Sequence, residues 1–175
     1  MKITGIKALI TVLATIHCTN LYSAEPVQLE SRFDLEEVKW IQTKGNSSIS
    51  GTAFLQLNKD DKKGCAGFGV ELLPVAKYSN ERIFNTYGNN SSGQILLKDN
   101  PPKFTPDHPQ YHELVRKTVC DAKNEFTFND LPAGDYYVIS FIIWKDDKGQ
   151  SDGGAVMKKL SLGSGEKKAV ELLAN

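Results

Sequence analysis

The stretch FTFNDLPAGDYYV, residues 126–138, decides the fold class. Phe126 and Phe128 are two positions apart, and side chains two apart in a β-strand point to the same face. Pro132 presets the backbone for a β-turn, and Gly134 takes the last turn position, where glycine is favoured. The stretch therefore predicts two strands joined by a tight corner.

The residues around the turn indicate how the corner is held. Leu131 can tuck under the sheet as the chain reverses, and Tyr136 or Tyr137 follows directly. A tyrosine in this place can bond its hydroxyl back to the upstream backbone, as in the tyrosine corner of β-sandwiches. No nucleophile lies beside a base here, so we interpret the corner as structural. The predicted corner consists of Phe126, Phe128, Leu131, Pro132, Gly134 and Tyr136.

Outward from the corner, the chain is a series of short strands. YYVISFIIW, residues 136–144, is the most hydrophobic and is the predicted core centre. Residues 77–93 indicate a turn and a polar loop, and the four prolines in residues 98–110 exclude a regular helix or a central strand. The other predicted strands cover residues 47–58, 65–75, 94–97, 111–120, 155–162 and 167–174, the last two paired with each other. This pattern predicts an all-β fold, an antiparallel β-sandwich of about seven strands.

The chain divides into three predicted parts. Residues 1–24 have a basic start, an apolar run of nine and a polar exit, which is typical of a cleaved signal peptide. Residues 25–46 form an N-terminal extension, predicted as an extended segment or short helix. Residues 47–175 form a single β-sandwich domain.

The charge balance narrows the classes of partner. Without the predicted signal peptide the chain keeps 19 basic and 21 acidic side chains, a net charge of −2. No basic face or Arg-rich run is present, so nucleic acid is not an expected partner. The mature sequence also has no run apolar enough to span a membrane. We expect a periplasmic or secreted protein.

Export changes the interpretation of the cysteines. The mature chain keeps Cys65 and Cys120, an even number in an oxidising compartment, and a disulfide between them is predicted. The chain-entropy model gives such a long loop a stabilisation of roughly 4 kcal/mol.

The residues CDAKNEFTFNDLPAGDYYV, 120–138, resemble the signature of bacterial carboxypeptidase regulatory-like domains. In that family an Asp-x-x-Gly turn precedes F-x-F-x-x-L-P-x-G-x-Y, and Asn124 here replaces the usual glycine. Asparagine tolerates the left-handed conformation, so the departure is mild. The matching residues are Asp121, Phe126, Phe128, Leu131, Pro132, Gly134 and Tyr136. The resemblance extends over most of residues 47–173 and implies a transthyretin-like (prealbumin-like) β-sandwich. In carboxypeptidases that contain this domain, it is an accessory to a separate catalytic domain.

His108 and His112 are the candidate metal ligands in the mature sequence. They lie in DHPQYHE, residues 107–113, with two carboxylates and Tyr111. Two histidines four apart can share a metal on a helix, but Pro109 disfavours a helical lead-in and a strand would separate them by about 13 Å. Intradiol dioxygenases, enzymes with a related sandwich, bind iron with two tyrosines and two histidines. The same residue types occur here as Tyr78, Tyr111, His108 and His112, but the His-x-His pattern of those enzymes is absent. A metal site stays an alternative.

The sequence favours an exported, non-catalytic binding or scaffolding module of the bacterial envelope, with no cofactor. The expected partner is a protein at a sheet edge or a glycan at the loops. Residues 77–93 and 98–112 are the expected recognition segments, and Tyr87 and Trp40 are aromatic residues that could hold a sugar. A metal-dependent enzyme using His108 and His112, a secreted effector and a carbohydrate-binding module are the alternatives.

Overall fold

The computed structural model describes residues 25–174, which fold into two packed β-sheets with short helices on one side. The strands are β1 (Val27–Gln28), β2 (Ser47–Gln56), β3 (Lys62–Gly64), β4 (Gly69–Pro74), β5 (Ser92–Leu96), β6 (Phe104–Thr105), β7 (Arg116–Val119), β8 (Glu125–Leu131), β9 (Gly134–Lys145), β10 (Ser151–Leu162) and β11 (Lys167–Leu172). The helices are α1 (Leu35–Val38), α2 (Lys77–Tyr87) and α3 (Pro109–Glu113), with 3₁₀ turns at Lys39–Gln42 and Leu97–Asp99. The predicted signal peptide, residues 1–24, lies outside the described residues. The predicted all-β class is confirmed.

The larger sheet has the strand order β5-β10-β9-β4-β7, with every neighbouring pair antiparallel. Its centre is β9, the hydrophobic run from the sequence. It pairs with β10 along its whole length and with β4 over Tyr136–Ser140, so the backbone groups of that part are satisfied inside the sheet.

The smaller sheet has the order β11-β2-β3, with β8 beside β2 on the same side as β3. Here the predicted pairing of the last two strands is wrong. β11 runs parallel to β2, with Lys167 opposite Ser48, while β10 belongs to the larger sheet. The turn after β10 carries the chain from one sheet to the other. An alternating pattern of apolar and polar residues shows which face of a strand is buried, but it does not specify which strand pairs with it.

The strand count also differs from about seven, because nine strands lie in the two large sheets of residues 25–174. Residues 62–64, predicted as part of a charged turn, form β3. The predicted strand over residues 111–120 is only β7, since Pro109 begins the short helix α3. Proline is well suited to the first helical position, where its missing N–H has no partner to lose.

A hydrophobic core fills the space between the sheets. It contains one face of each sheet and the disulfide, and its members include Ile49, Leu55, Val70, Leu72, Phe126, Phe128, Leu131, Tyr136, Val138 and Ile142. The corner lies at one end of this core. The Tyr136 hydroxyl donates a hydrogen bond to the carbonyl of Pro132 at 2.6 Å, which fastens the start of β9 to the turn.

Gly134 is required by packing rather than by an unusual backbone angle. A Cβ at Gly134 would lie 2.3 Å from the Trp40 ring, which also packs edge-on against Tyr136 with centroids 5.2 Å apart. Trp40 therefore covers the end of the core only because residue 134 has no side chain. Asn124 has φ 66°, in the left-handed region that asparagine tolerates.

The Cys65–Cys120 disulfide is formed and is buried in the same core. It joins the segment before β4 to the end of β7. The isolated bridge between Ala66 and Cys120 lies beside it. The crosslink therefore pins the edge of the larger sheet.

The outer face of the larger sheet carries a second core, and here the sequence prediction needs its largest correction. Residues 77–87, predicted as turn and loop, form α2. Ser79 accepts a hydrogen bond from the N–H of Ala76 and donates to the carbonyl of Pro74, and Gly88 ends the helix with φ 75°. The helix is rich in residues of weak helix propensity, so its packing on the sheet, with Tyr78 and Ile83 buried, stabilises it.

Residues 25–46 pack against both cores. Leu29 belongs to the outer core, whereas Ile41 is fully buried between the sheets. The carboxylate of Glu81 in α2 accepts hydrogen bonds from the N–H groups of Glu30 and Ser31 at 2.8 and 2.7 Å. This segment is thereby fixed to the helix.

Replacing Gly134 with alanine should destabilise the protein, because the new methyl group would overlap the Trp40 ring. Overpacking of this kind costs about 1–3 kcal/mol. Gly69→Ala is the matched control, since a Cβ at Gly69 meets nothing within 4 Å. Urea denaturation of both variants measures the difference, and equal stabilities would contradict the packing role of Gly134.

Removing the disulfide should lower the free energy of unfolding by roughly 4 kcal/mol, because the unfolded chain gains the entropy of an open loop. A Cys65→Ala, Cys120→Ala double variant tests this in urea, with the reduced wild type as a second measurement. An unfolding free energy unchanged in both would contradict a stabilising crosslink.

Candidate functional site

The outer face of the larger sheet is only partly covered. Along β9, Tyr137 and Ile139 lie under α2, while Phe141 and Ile143 continue the same face and are 42% and 47% exposed. Large apolar side chains in neighbouring positions of one face are uncommon on a free surface. The uncovered part of this face forms the floor of two adjoining cavities.

The first cavity, called here the polar cavity, has a volume of about 350 Å³. Its floor is formed by β4 and β9, one wall by α2, and the opposite wall by the segment from β6 to α3. Charged and aromatic side chains share its lining. The lining side chains that bear on its chemistry are Glu71, Arg82, Tyr87, Phe104, Tyr111, His112 and Phe141.

Arg82 is held rigidly in the wall of this cavity. Its guanidinium lies 4.4 Å from the ring centroid of Phe104 and 4.7 Å from that of Tyr111, both within cation–π distance. The same group donates a 2.7 Å hydrogen bond to Asp107 and a 3.3 Å bond to the hydroxyl of Tyr78. The long side chain is therefore fixed before any ligand arrives.

Asp107 joins Arg82 and His112. One carboxylate oxygen accepts from Arg82 and also lies 2.8 Å from Nε2 of His112. Partial burial acts to raise the pKa of Asp107, but hydrogen bonds from His112 and Arg82 and the charge of Arg82 outweigh it. The pKa of Asp107 consequently lies below its usual value.

Two tyrosines that line the polar cavity have hydroxyls without a hydrogen-bond partner in the described residues. The hydroxyls of Tyr87 and Tyr111 have no hydrogen-bond partner among residues 25–174, and neither is among the buried polar atoms that lack one. Burial of the rings raises the pKa of both. The charge of Arg82 opposes this at Tyr111 without reversing it, and the nearby Glu71 carboxylate adds to the rise at both. Both groups therefore stay protonated and can donate as well as accept.

Glu71 completes the polar lining. It lies on β4, opposite Lys117 of β7, and its carboxylate is 3.1 Å from the ammonium group. Its side chain is about one quarter exposed, so the carboxylate keeps acceptor capacity towards the cavity.

The second cavity, called here the apolar cavity, has a volume of about 220 Å³ and adjoins the first. Thr86, Tyr87 and Phe141 line both cavities. The side chains that line only the apolar cavity are Ile95, Leu97, Pro101, Ile143 and Ala155, with Gly154. The two adjoining cavities, together called the groove, thus have a charged end and a hydrocarbon end.

The predicted metal ligands do not converge on a site in the structure. His112 faces Asp107, whereas His108 stacks on Phe33 with centroids 4.6 Å apart. The hydroxyl of Tyr78 donates to the carbonyl of Pro106. Within residues 25–174, no group of three or more His, Cys, Asp or Glu side chains is arranged to hold a metal ion.

The two aromatic residues considered for sugar binding separate onto opposite faces. Tyr87 lies in the groove, but Trp40 packs on the core between the sheets. The groove residues Glu71, Arg82 and Phe141 were missed by sequence reasoning. Arg82 lies within residues 77–93, one of the two expected recognition segments, and the outward face of β9 is visible in its alternation.

Comparison with solved structures identifies a similar fold. A crystal structure from Pseudomonas aeruginosa, of a "putative carbohydrate binding protein", superimposes with a TM-score of 0.67 at 21% sequence identity. The match covers 82% of this chain and 99% of that chain. No protein-family model matches the chain, and no curated protein matches it significantly. At this identity the likeness establishes a shared β-sandwich architecture. In the described residues, no helix is long and apolar enough to cross a membrane.

Replacing Asp107 with asparagine should remove the charge that holds Arg82 and His112. Because the folded-state pKa of Asp107 is depressed, its stabilisation is present above the unfolded-state pKa and is lost as the pH falls through the folded-state value. The side chain is about half exposed, so we expect a loss of about 1 kcal/mol or less at pH 7.

Thermal or urea unfolding of wild type and Asp107→Asn between pH 7 and pH 2 measures this. The difference should shrink as the wild-type carboxylate becomes protonated. A difference that is constant over this range would show that the charge of Asp107 is not responsible. Asp60→Asn is the control, because Asp60 is exposed in the turn after β2 and its carboxylate forms no ion pair among the described residues.

Proposed function

We propose that the protein is an exported, non-catalytic binding module whose ligand is a carbohydrate held in the polar cavity. One observation carries the proposal. The cavity presents aromatic rings and hydrogen-bonding groups on the same walls, and two of those groups, the hydroxyls of Tyr87 and Tyr111, are unengaged.

A sugar ring needs this combination. Its C–H groups form apolar faces that pack on aromatic side chains, and its hydroxyls require donors and acceptors in fixed directions. Phe104 and Phe141 supply apolar surface, while Arg82, Glu71 and the tyrosine hydroxyls supply hydrogen bonds. A volume of about 350 Å³ is at the lower end of the range for small-ligand sites, which suits one or two sugar rings.

Rigidity supports the same assignment. Arg82 is held by two rings and a carboxylate, so a ligand that hydrogen-bonds to it does not have to order a flexible side chain. Preorganisation of this kind strengthens binding because less conformational entropy is lost. The similar fold of the Pseudomonas aeruginosa protein, with its carbohydrate-binding description, agrees with this ligand class.

The location and family follow as parts of the same proposal. The Cys65–Cys120 disulfide is typical of an oxidising compartment, which agrees with a cleaved signal peptide and a periplasmic or secreted module. We assign the sandwich to the transthyretin-like type, as its resemblance to carboxypeptidase regulatory-like domains implies. The bond from Tyr136 to Pro132 supports this assignment.

Phenylalanine at positions 87 and 111 should weaken carbohydrate binding while leaving stability nearly unchanged, because neither hydroxyl bonds to the protein. Each lost hydrogen bond is worth about 0.5–1.5 kcal/mol, so affinity should fall roughly twofold to tenfold per substitution. A glycan array of bacterial and plant saccharides identifies the sugar, and calorimetry then compares Tyr87→Phe and Tyr111→Phe with the wild type.

Tyr136→Phe is the matched control, since it removes a hydroxyl that bonds to Pro132 outside the groove. It should lower stability and leave sugar affinity unchanged. Failure of the wild type to bind any saccharide on the array, or equal affinity losses in Tyr87→Phe and Tyr136→Phe, would overturn the proposal.

A further inference from the structure

The groove has a chemical gradient that a sugar alone does not use. At one end lie Arg82, Glu71 and His112. At the other the lining is apolar apart from Tyr87 and Thr86, and the Thr86 hydroxyl is already bonded to the carbonyl of Arg82. Leu97 and Ile143 at the apolar end are each nearly half exposed. Apolar surface of this kind gains free energy when a hydrocarbon covers it.

The junction between the two cavities is a built feature. α2 ends at Gly88, so Tyr87 in its last turn is positioned at the boundary. Gly93 on β5 faces it, and a Cβ there would lie 3.1 Å from the Cβ of Tyr87. The absent side chain lets the helix end approach the sheet closely, which places the Tyr87 ring against both cavities.

Phe141 lies at the boundary of the two cavities in their floor, as Tyr87 does in their wall. It lies on β9 opposite Ala155 of β10, whose neighbour on the other side is Ile95 of β5. A large ring beside a small methyl group leaves the depression that forms the apolar cavity. Because Phe141 lines both cavities, a ligand that packs on its ring reaches the charged end and the hydrocarbon end together.

We infer that the ligand is amphiphilic: a glycoside whose sugar occupies the polar cavity and whose apolar aglycone, an alkyl or acyl chain, lies in the apolar cavity. This inference rests on the proposed function, since it assigns the sugar to the same polar cavity. The ligand class it names is a glycolipid or another glycoside with a hydrocarbon substituent.

A single chain fits the apolar cavity better than a partner protein does. The cavity holds about 220 Å³, whereas an α-helix with its side chains is roughly 10–12 Å across. The lining residues shared with the polar cavity also favour one ligand that spans both cavities over two separate occupants. The occupant is therefore a slender apolar group attached to a polar head.

A series of n-alkyl β-D-glucopyranosides, from methyl to butyl, hexyl and octyl, tests the inference by calorimetry below the micelle concentration. Each methylene that enters the cavity contributes about 0.8 kcal/mol, which corresponds to roughly fourfold tighter binding. Affinity should rise with chain length by about this factor and stop rising once the cavity is filled.

Ile143→Thr is the diagnostic variant, because Ile143 lines only the apolar cavity and threonine keeps a β-branched side chain in the strand. It should reduce the gain per methylene and leave the affinity for the methyl glucoside unchanged. Val119→Thr is the matched control, since Val119 is 60% exposed on edge strand β7 and lines neither cavity.

The outcomes separate this inference from the proposed function. Sugar binding that depends on Tyr87 but not on alkyl chain length would leave the proposed function standing and overturn the amphiphilic ligand. Equal responses of Ile143→Thr and Val119→Thr would overturn it too. If hexyl glucoside and a sugar-free hexyl ethoxylate bind equally well, the sugar contributes nothing and both proposals fail.

Discussion

The structure depends on the need of one strand, β9, to bury two faces. Tyr136, Val138 and Ile142 point between the sheets, and Tyr137 and Ile139 point the other way into a second core. A sandwich of two sheets covers only the first set. The second set requires additional cover, so an antiparallel sheet that could leave one face in water instead carries a helix and the chain segments around it.

The groove follows from how far that cover extends. α2 is long enough to lie over the start of the outer face, and it ends at Gly88 before reaching Phe141. The part of the outer face that α2 leaves uncovered is flanked by charged residues in the polar cavity and by hydrocarbon side chains in the apolar cavity. Arg82 combines packing with charge. Its planar guanidinium packs on aromatic rings, and its positive charge is balanced by Asp107.

Features that depend on neighbouring residues or on composition could be predicted from the sequence. The corner residues, the disulfide and the central position of β9 follow from turn chemistry, export and hydrophobicity. The helical structure of α2 and the parallel pairing of β11 with β2 could not be predicted in this way. Segments of weak helix formers and alternating strands take their structure from contacts with residues distant in sequence. The groove combines α2, β4, β9 and the segment after β6, so its residues are adjacent only after folding. Tyr87 and His112 were visible as candidates, whereas Glu71 and Phe141 looked like ordinary strand residues.

The wall opposite α2 depends on the N-terminal segment. Within residues 25–174, β6, which carries Phe104, pairs with β1 alone. The N–H groups of Val27 and Leu29 donate to the carbonyls of Lys103 and Thr105 at 2.7 and 3.0 Å. Phe104 in turn supports the guanidinium of Arg82. Residues 25–46 therefore act on the site as well as on the fold, since loosening β1 would release the ring that orients the principal cation of the groove. The smallest unit that preserves the groove therefore includes residues 25–46 as well as the sandwich that follows them.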